Sequence, residues 1–276
     1  MTDQKSPSED RWPHYTAPEF VDVAGTSVAY RRRGTGDALL FLHGLGPTRI
    51  WQPMLEQLAG IHDVIAPEHP GFGDSPLPRW IRTFDDLVLH YDAFLDLMGV
   101  DRVHLVGHGL GGWAAADLAL HYPRRFASVT LIAPSGVRLV DTPSIDVFRM
   151  LDHEFRSALF NGRDERYAEF LDQEGAPEDA IRALAEGIPT ARLSWNPRYD
   201  IRLDHRLARI SAPSLVLAVE DDRVVPTSSA ARFAELIPHS TLHTIPGRPG
   251  EPSSHAVALE QPDVVAAAIA AHTTAS

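Results

Sequence analysis

The sequence predicts an α/β protein: a mostly parallel twisted sheet with helices on both faces and one helical insertion. Three observations carry that reading. Short apolar runs alternate with stretches of helical spacing along most of the chain. Runs such as 38–42 and 103–106 show no polar alternation, as strands covered on both faces require. The alternation lapses from about residue 137 to 209 and then resumes. With 276 residues, 44% of them hydrophobic, the chain can bury one sizeable core.

Residues 1–18 are polar, contain prolines and read as a loose arm. Strand-like runs follow at 20–23 and 27–32, the second ending at Gly34. The run 38–42 is the first fully apolar strand. Helical spacing over 50–58 stops at Gly60. A short strand at 64–66 leads into the loop 67–75. Leu87, Tyr91, Phe94, Leu95 and Met98 recur at helical spacing across 84–98, and Gly99 ends that helix. Strand 103–106 and helix 112–122 flank a glycine-rich turn; Pro123 stops the helix, and strand 128–132 comes next. In the insertion Phe148, Leu151, Phe155 and Leu159 keep helical spacing. Ile181, Leu184 and Ile188 mark another helix, with Pro177 in its first turn. Trp195, Pro197 and Tyr199 lie in an irregular link. The strand–helix pattern resumes with strand 214–219, helix 228–237, strand 241–244 and helix 264–271. The expected organisation is a core of residues 19–136 and 210–276 interrupted by a helical insertion, 137–209.

Charge and composition narrow the function. Lys and Arg number 25 against 37 Asp and Glu, a net charge of −12. Such a surface repels phosphate backbones, so no nucleic-acid partner is expected. No stretch has the apolar length of a membrane span, and the first residues lack the apolar core of a secretory signal; the expected location is the cytoplasm. Cysteine is absent, which excludes disulfides, thiolate metal sites and a cysteine nucleophile. No His/Asp/Glu spacing of the H-E-x-x-H kind occurs, so no metal is expected. No cofactor is expected either. Gly107, Gly109 and Gly112 have the spacing of a dinucleotide fingerprint, but the acid such a site needs about twenty residues on is missing, since that place falls in Ala127-Ser128-Val129.

Four stretches carry chemistry. Phe41-Leu42-His43-Gly44-Leu45-Gly46 follows a strand, and its backbone N–H groups, that of Leu45 among them, are placed to stabilise an oxyanion. The amide of Leu110 is the second candidate donor. Val103 to Gly112 reads as a buried strand, a tight turn at Gly109 and a helix start, where amides and the positive dipole end point at whatever sits above the turn. Asp221 and Asp222 close the apolar run 215–219, at the carboxyl edge of the sheet where ligands bind in open α/β folds. His255 follows the last strand in a loop rich in Pro, Gly and Ser.

Taken together these stretches resemble the α/β-hydrolase superfamily, in the branch that bears a helical cap. The resemblance rests on His43-Gly44, on Pro70-Gly71-Phe72-Gly73-Asp74-Ser75, on Gly107-His108-Gly109-Leu110-Gly111-Gly112, and on His255 with Glu260 and Pro262 behind it. It covers roughly residues 20–270. It implies the α/β-hydrolase fold, a cap over 137–209, and the chain order nucleophile, acid, histidine. The acid then falls on Asp222, four residues before Pro226, with Asp221 the weaker alternative, and the base on His255. The nucleophile elbow G-x-S-x-G is matched except at its centre, where Gly109 replaces the serine. Nothing nearby obviously substitutes: Ser135 lies after the next strand, and the sequence does not set its distance from His255.

Three readings stay open at this level. One is a hydrolase for a small, partly apolar ester or carbonyl substrate, whose serine is replaced by Gly109 and whose turnover is attenuated or lost. Another is a non-covalent enzyme (a lyase, a cyclase or a water-activating hydrolase) that uses a His255–Asp222 dyad and the oxyanion hole. The third is a non-catalytic binding protein. The partner in each is a small molecule, and the sequence sets no oligomeric state. Phe148, Met150, Leu151, Phe155, Leu159, Phe160 and Trp195 either line its pocket or form the insertion's own core.

Overall fold

A computed structural model describes residues 14–171, 177–195 and 197–276. Its strands are β1 (Glu19–Val23), β2 (Thr26–Arg33), β3 (Ala38–Leu42), β4 (Asp63–Pro67), β5 (Val103–His108), β6 (Phe126–Ile132), β7 (Ser214–Val219) and β8 (Ser240–Ile245). They form one sheet in the order β1-β2-β4-β3-β5-β6-β7-β8. β1 pairs with β2, and β2 with β4, in antiparallel fashion; every pairing from β4 to β8 is parallel. Parallel neighbours need crossovers, and helices supply them.

The helices are α1 (Pro53–Leu58), α2 (Phe84–Leu97), α3 (Leu110–His121), α4 (Asp152–Leu159), α5 (Pro177–Ser194), α6 (Leu203–Arg206), α7 (Thr227–Leu236), α8 (Val257–Glu260) and α9 (Pro262–Thr274). Side chains alternate across β3. Leu40 and Leu42 join the core cluster that includes residues of α2 and α3, while Leu39 and Phe41 join the one that includes residues of α1 and α9. The period of two thus divides one apolar run between two cores, and the run shows no polar alternation because both faces are covered. Helical spacing over 50–58 is realised only from Pro53, because proline fits the first helical position and has no N–H to lose there. α2 begins at a capping box: Thr83 accepts from the Asp86 amide, and Asp86 reaches back to the Thr83 amide.

α3 is buried from Leu110 to Leu120, and it carries one carboxylate inside. Asp117 Oδ1 has no hydrogen-bond partner among the described residues. Burial, and next the charge of Asp200, push the Asp117 carboxyl up to about 7. The folded state therefore holds this proton more tightly than the unfolded chain. Stability falls as pH rises from the ordinary carboxylate range through about 7. Asp117→Asn is expected to stabilise the protein by on the order of a few kcal/mol at about pH 8, with the gain shrinking at about pH 4. Urea denaturation at both pH values reads the difference, and a gain independent of pH would contradict the assignment.

Between β6 and β7, among the described residues, the chain forms only helices, short 3-10 turns and an isolated bridge from Gly136 to Tyr199. This stretch covers the insertion read from the sequence over 137–209, although Leu203 and Leu207 near its end join the core cluster that includes α2 and α3 residues. Its apolar residues divide unevenly. Leu159 and Phe160 are buried, whereas Leu151 and Trp195 are mostly exposed, Trp195 in stacking contact with Phe148. Helical spacing marks one face of a helix without saying what covers it, so Leu151, in register with Phe155 and Leu159, is still not core. α5 rests on the loop after β4: the Glu186 carboxylate accepts from the Gly73 amide at 2.8 Å, and a methyl on Gly71 would meet the Pro189 ring at 2.9 Å.

The loose arm expected over 1–18 needs amending at its end. The Thr16 amide donates to the Arg49 carbonyl, and the buried Arg31 donates to the Thr16 carbonyl at 2.6 Å. Residues 14–18 are thus tied to the core, while residues 1–13 lie outside the described residues.

Candidate active site

β5 is buried along its whole length and delivers the chain to Gly109, which adopts φ 54° and ψ −114° before α3 begins. This is a left-handed conformation that glycine adopts without the steric cost a Cβ would bring. The turn is closely packed. A methyl on Gly111 would collide with the carbonyls of Leu42 and His43, and one on Gly107 with the Gly111 carbonyl. These contacts bring the end of β3 against the turn after β5. The turn is also held by its own hydrogen bonds. The Gly109 amide donates to the Ile132 carbonyl at 2.9 Å, and the Gly109 carbonyl accepts from the amides of Trp113 and Ser135. The Ser135 hydroxyl donates to the same carbonyl at 3.3 Å, so it is committed to the backbone.

The loop after β3 is fixed by a histidine pair. His43 Nε2 accepts from the His69 amide at 2.9 Å, so its proton sits on Nδ1, 2.7 Å from the Gly44 carbonyl. His69 Nε2 donates to the His43 carbonyl at 2.7 Å, and its Nδ1 meets the Tyr91 hydroxyl. Burial holds both rings neutral, His43 down to about 4 and His69 well below its ordinary value. Two neutral imidazoles therefore act as fixed struts for the His43–Gly44 backbone.

The acid and the histidine arrive from the far side of the sheet. Asp222 follows β7, and its Oδ1 accepts from the amides of Val224 at 2.7 Å and Val225 at 2.9 Å. Its Oδ2 lies 2.7 Å from His255 Nδ1, and both side chains are shielded from solvent. Held this way, His255 donates from Nδ1 and turns Nε2 towards Gly109: a methyl on Gly109 would stand 2.9 Å from Nε2. Asp221 points elsewhere, its carboxylate accepting from the Ser253 amide at 3.1 Å. One side chain of the insertion joins both loops. Asn161, at φ 53°, donates to the Asp221 carbonyl at 2.9 Å and to the Ser253 carbonyl at 2.7 Å.

A small pocket lies beside His255. Gly44, Leu45, Gly46 and Pro47 form one wall, and Leu159 and Phe160 of the insertion another. Ala256, Ala258 and Leu259 line the side next to His255, and Gln52 and His108 complete it. His108 stacks on His255, ring centres 4.7 Å apart at 29°. Burial and the neighbouring His255 push its imidazole well below the ordinary range.

Of the residues singled out from sequence, Gly109, Asp222, His255 and Leu45 converge here. Leu110 starts α3 at the same turn, with its side chain in the core. Of the insertion's apolar residues singled out from sequence, and among the described residues, only Leu159 and Phe160 line the pocket. Gln52 and His108 escaped sequence reasoning, although both lie inside motifs already singled out or next to them. Among the described residues no group of three or more His, Asp or Glu side chains could hold a metal ion, and no helix is long and apolar enough to cross a membrane.

Residues 39–268 match the alpha/beta hydrolase family. The chain is similar to the 2-hydroxy-6-oxononadienedioate/2-hydroxy-6-oxononatrienedioate hydrolase of Burkholderia vietnamiensis, with 30% identity over 258 residues covering 84% of this chain and 88% of the relative. A stretch of 122 residues, 44% of this chain, is 38% identical to the dihydrolipoyllysine-residue acetyltransferase component of the acetoin cleaving system of Cupriavidus necator, and it spans 33% of that protein's length. Among solved structures, a meta-cleavage product hydrolase from Pseudomonas fluorescens IP01 superposes with a TM-score of 0.74 at 24% identity, covering 94% of this chain and 98% of that one. At that identity the likeness concerns the fold alone.

Proposed function

The chain belongs to the alpha/beta hydrolase family, and on that premise we propose that it hydrolyses a small, partly apolar ester or carbonyl compound by activating water, without a covalent step. Gly109 stands where other members would raise a nucleophilic side chain, and it has none to offer. The observation that carries the reading is the oriented imidazole. Asp222 holds His255 Nδ1 at 2.7 Å, which leaves Nε2 as a base beside the space over Gly109. The name of the Burkholderia vietnamiensis relative, a hydrolase of oxo acids, supports a carbonyl-bearing substrate.

The steps balance without further reagents. His255 Nε2 takes a proton from water above Gly109, and the resulting hydroxide adds to the substrate carbonyl carbon. The carbonyl oxygen becomes an oxyanion and accepts hydrogen bonds from the Leu45 and Leu110 amides. Collapse expels the leaving group, which recovers the proton from His255. The apolar walls of Leu159, Phe160 and Leu259 suit the substrate's carbon skeleton and keep bulk water away from the dyad.

Rapid mixing with 4-nitrophenyl acetate tests the absence of a covalent step. Product is expected to accumulate linearly with no burst, and the protein mass is expected to stay unchanged throughout. A burst or an acetylated protein would overturn the reading. Hydrolysis no faster than buffer, for this ester and for carbonyl substrates alike, would favour the binding protein instead.

A further inference from the structure

The sequence motif at His255 includes Glu260, and the proposed reaction gives that residue no task. Its side chain is 5% exposed, an uncommon place for a carboxylate unless it is paired. The partner comes from the insertion. Arg163 Nη2 donates to Glu260 Oε1 at 2.7 Å and to the Pro252 carbonyl at 2.7 Å. That nitrogen carries two hydrogens, one for each acceptor. Pro252 lies three residues before His255 and Glu260 five after it. One guanidinium therefore clips together the two ends of the segment that carries the imidazole.

Other groups hold this segment too, and they leave a defined task. Ser253 is tied to Asp221 by a pair of 3.1 Å bonds and to Asn161 at 2.7 Å. These act ahead of the imidazole. Behind it, the Ala256 amide donates to the Leu159 carbonyl at 3.1 Å. Val257 and Ala258 are packed in the core cluster that includes residues of α1 and α9. Apolar packing has no direction, so it sets the depth of α8 more firmly than its turn or slide. A charged pair with a forked donor does have direction. Of the side chains named, Arg163 alone reaches both sides of His255. Apolar residues of similar volume often replace a buried ion pair at little cost in stability, so what this pair supplies is geometry.

We infer that Arg163 is a positioning residue for the reaction: through Pro252 and Glu260 it sets where His255 Nε2 stands relative to Gly109. The insertion then completes the base as well as covering it. The inference rests on His255 being the base of the reading above, but one arm of its test needs no turnover.

Arg163→Met combined with Glu260→Leu removes the clip without stranding a buried charge. The melting temperature of this variant is expected to stay within about 5 °C of the parent's. With 4-nitrophenyl acetate its kcat is expected to fall about tenfold at unchanged KM, because a displaced base is felt in the transition state. The Nδ1 proton that His255 donates to Asp222 reports alignment directly. In the full chain labelled with 15N-histidine, its exchange with water is expected to be at least about tenfold faster in the variant. If the double variant does not fold, Arg163→Lys is read in the same way, since it keeps a charge for Glu260 and loses the planar fork. Unchanged exchange of that proton in a folded variant would overturn the inference whatever the activity. So would an active parent whose kcat the variant retains, or a loss confined to KM. Faster exchange in a protein whose parent hydrolyses nothing would sink the proposed reaction and leave the positioning standing.

Discussion

Gly109→Ser is expected to raise kcat/KM for 4-nitrophenyl acetate by at least about a thousandfold and to introduce a burst. Losing the nucleophile of a serine hydrolase costs on the order of a millionfold, so restoring one beside an oriented base recovers a large part of that. Two local effects keep the gain below the full factor. The residue sits at φ 54° and ψ −114°, where a side chain costs about 1–3 kcal/mol. Its Cβ would also lie 2.9 Å from His255 Nε2, closer than a methylene and a ring nitrogen tolerate. The imidazole must retreat by a few tenths of an ångström against its bond to Asp222 and its stack on His108. Higher activity should therefore come with a lower melting temperature. Steady-state kinetics, rapid mixing and thermal denaturation read the three effects. A folded serine variant as inert as the parent would show that the groups around the turn are not aligned for attack.

His255→Ala is expected to remove the parent's hydrolysis to the level of buffer, a loss of about 100- to 10,000-fold, the usual contribution of a general base. Asp222→Asn is expected to cost a comparable factor by a different route. The asparagine can present its N–H2 to His255 Nδ1, which favours the tautomer with the proton on Nε2 and leaves no base facing the substrate. The alanine variant should respond to added imidazole, which refills the space; the asparagine variant should not. Hydrolysis at the parental rate in His255→Ala would place the chemistry elsewhere in the molecule.

Much of this arrangement is legible in the chain. Strand and helix periods mark the sheet and the insertion, and the motifs put Gly109, Asp222, His255 and Leu45 at one edge. The strand order is not legible: β4 lies between β2 and β3, and parallel pairings join distant segments with no local signal. Asp222 is separated from Asp221 by a backbone turn, because only the carboxylate that accepts from Val224 and Val225 can also face His255. Gln52 looks like the ordinary polar residue before a helix, and His108 like an interchangeable motif position. Their place in the pocket wall exists only once neighbours are placed around them. Leu151 errs in the other direction, since spacing describes a helix face and says nothing of what lies beyond it.

One amide group in the insertion, that of Asn161, rivets the two loops that carry Asp221 and Ser253, each a close chain neighbour of the acid or the histidine. The insertion is therefore not an exchangeable module at this end. A chimera that swaps 137–209 for a foreign helical segment loses this tie unless the graft brings a carboxamide to that spot, and the direct bonds between Asp221 and Ser253 are then left to hold the two loops together. Recombination breakpoints on the amino-terminal side of Asn161 should be tolerated better than those that remove it.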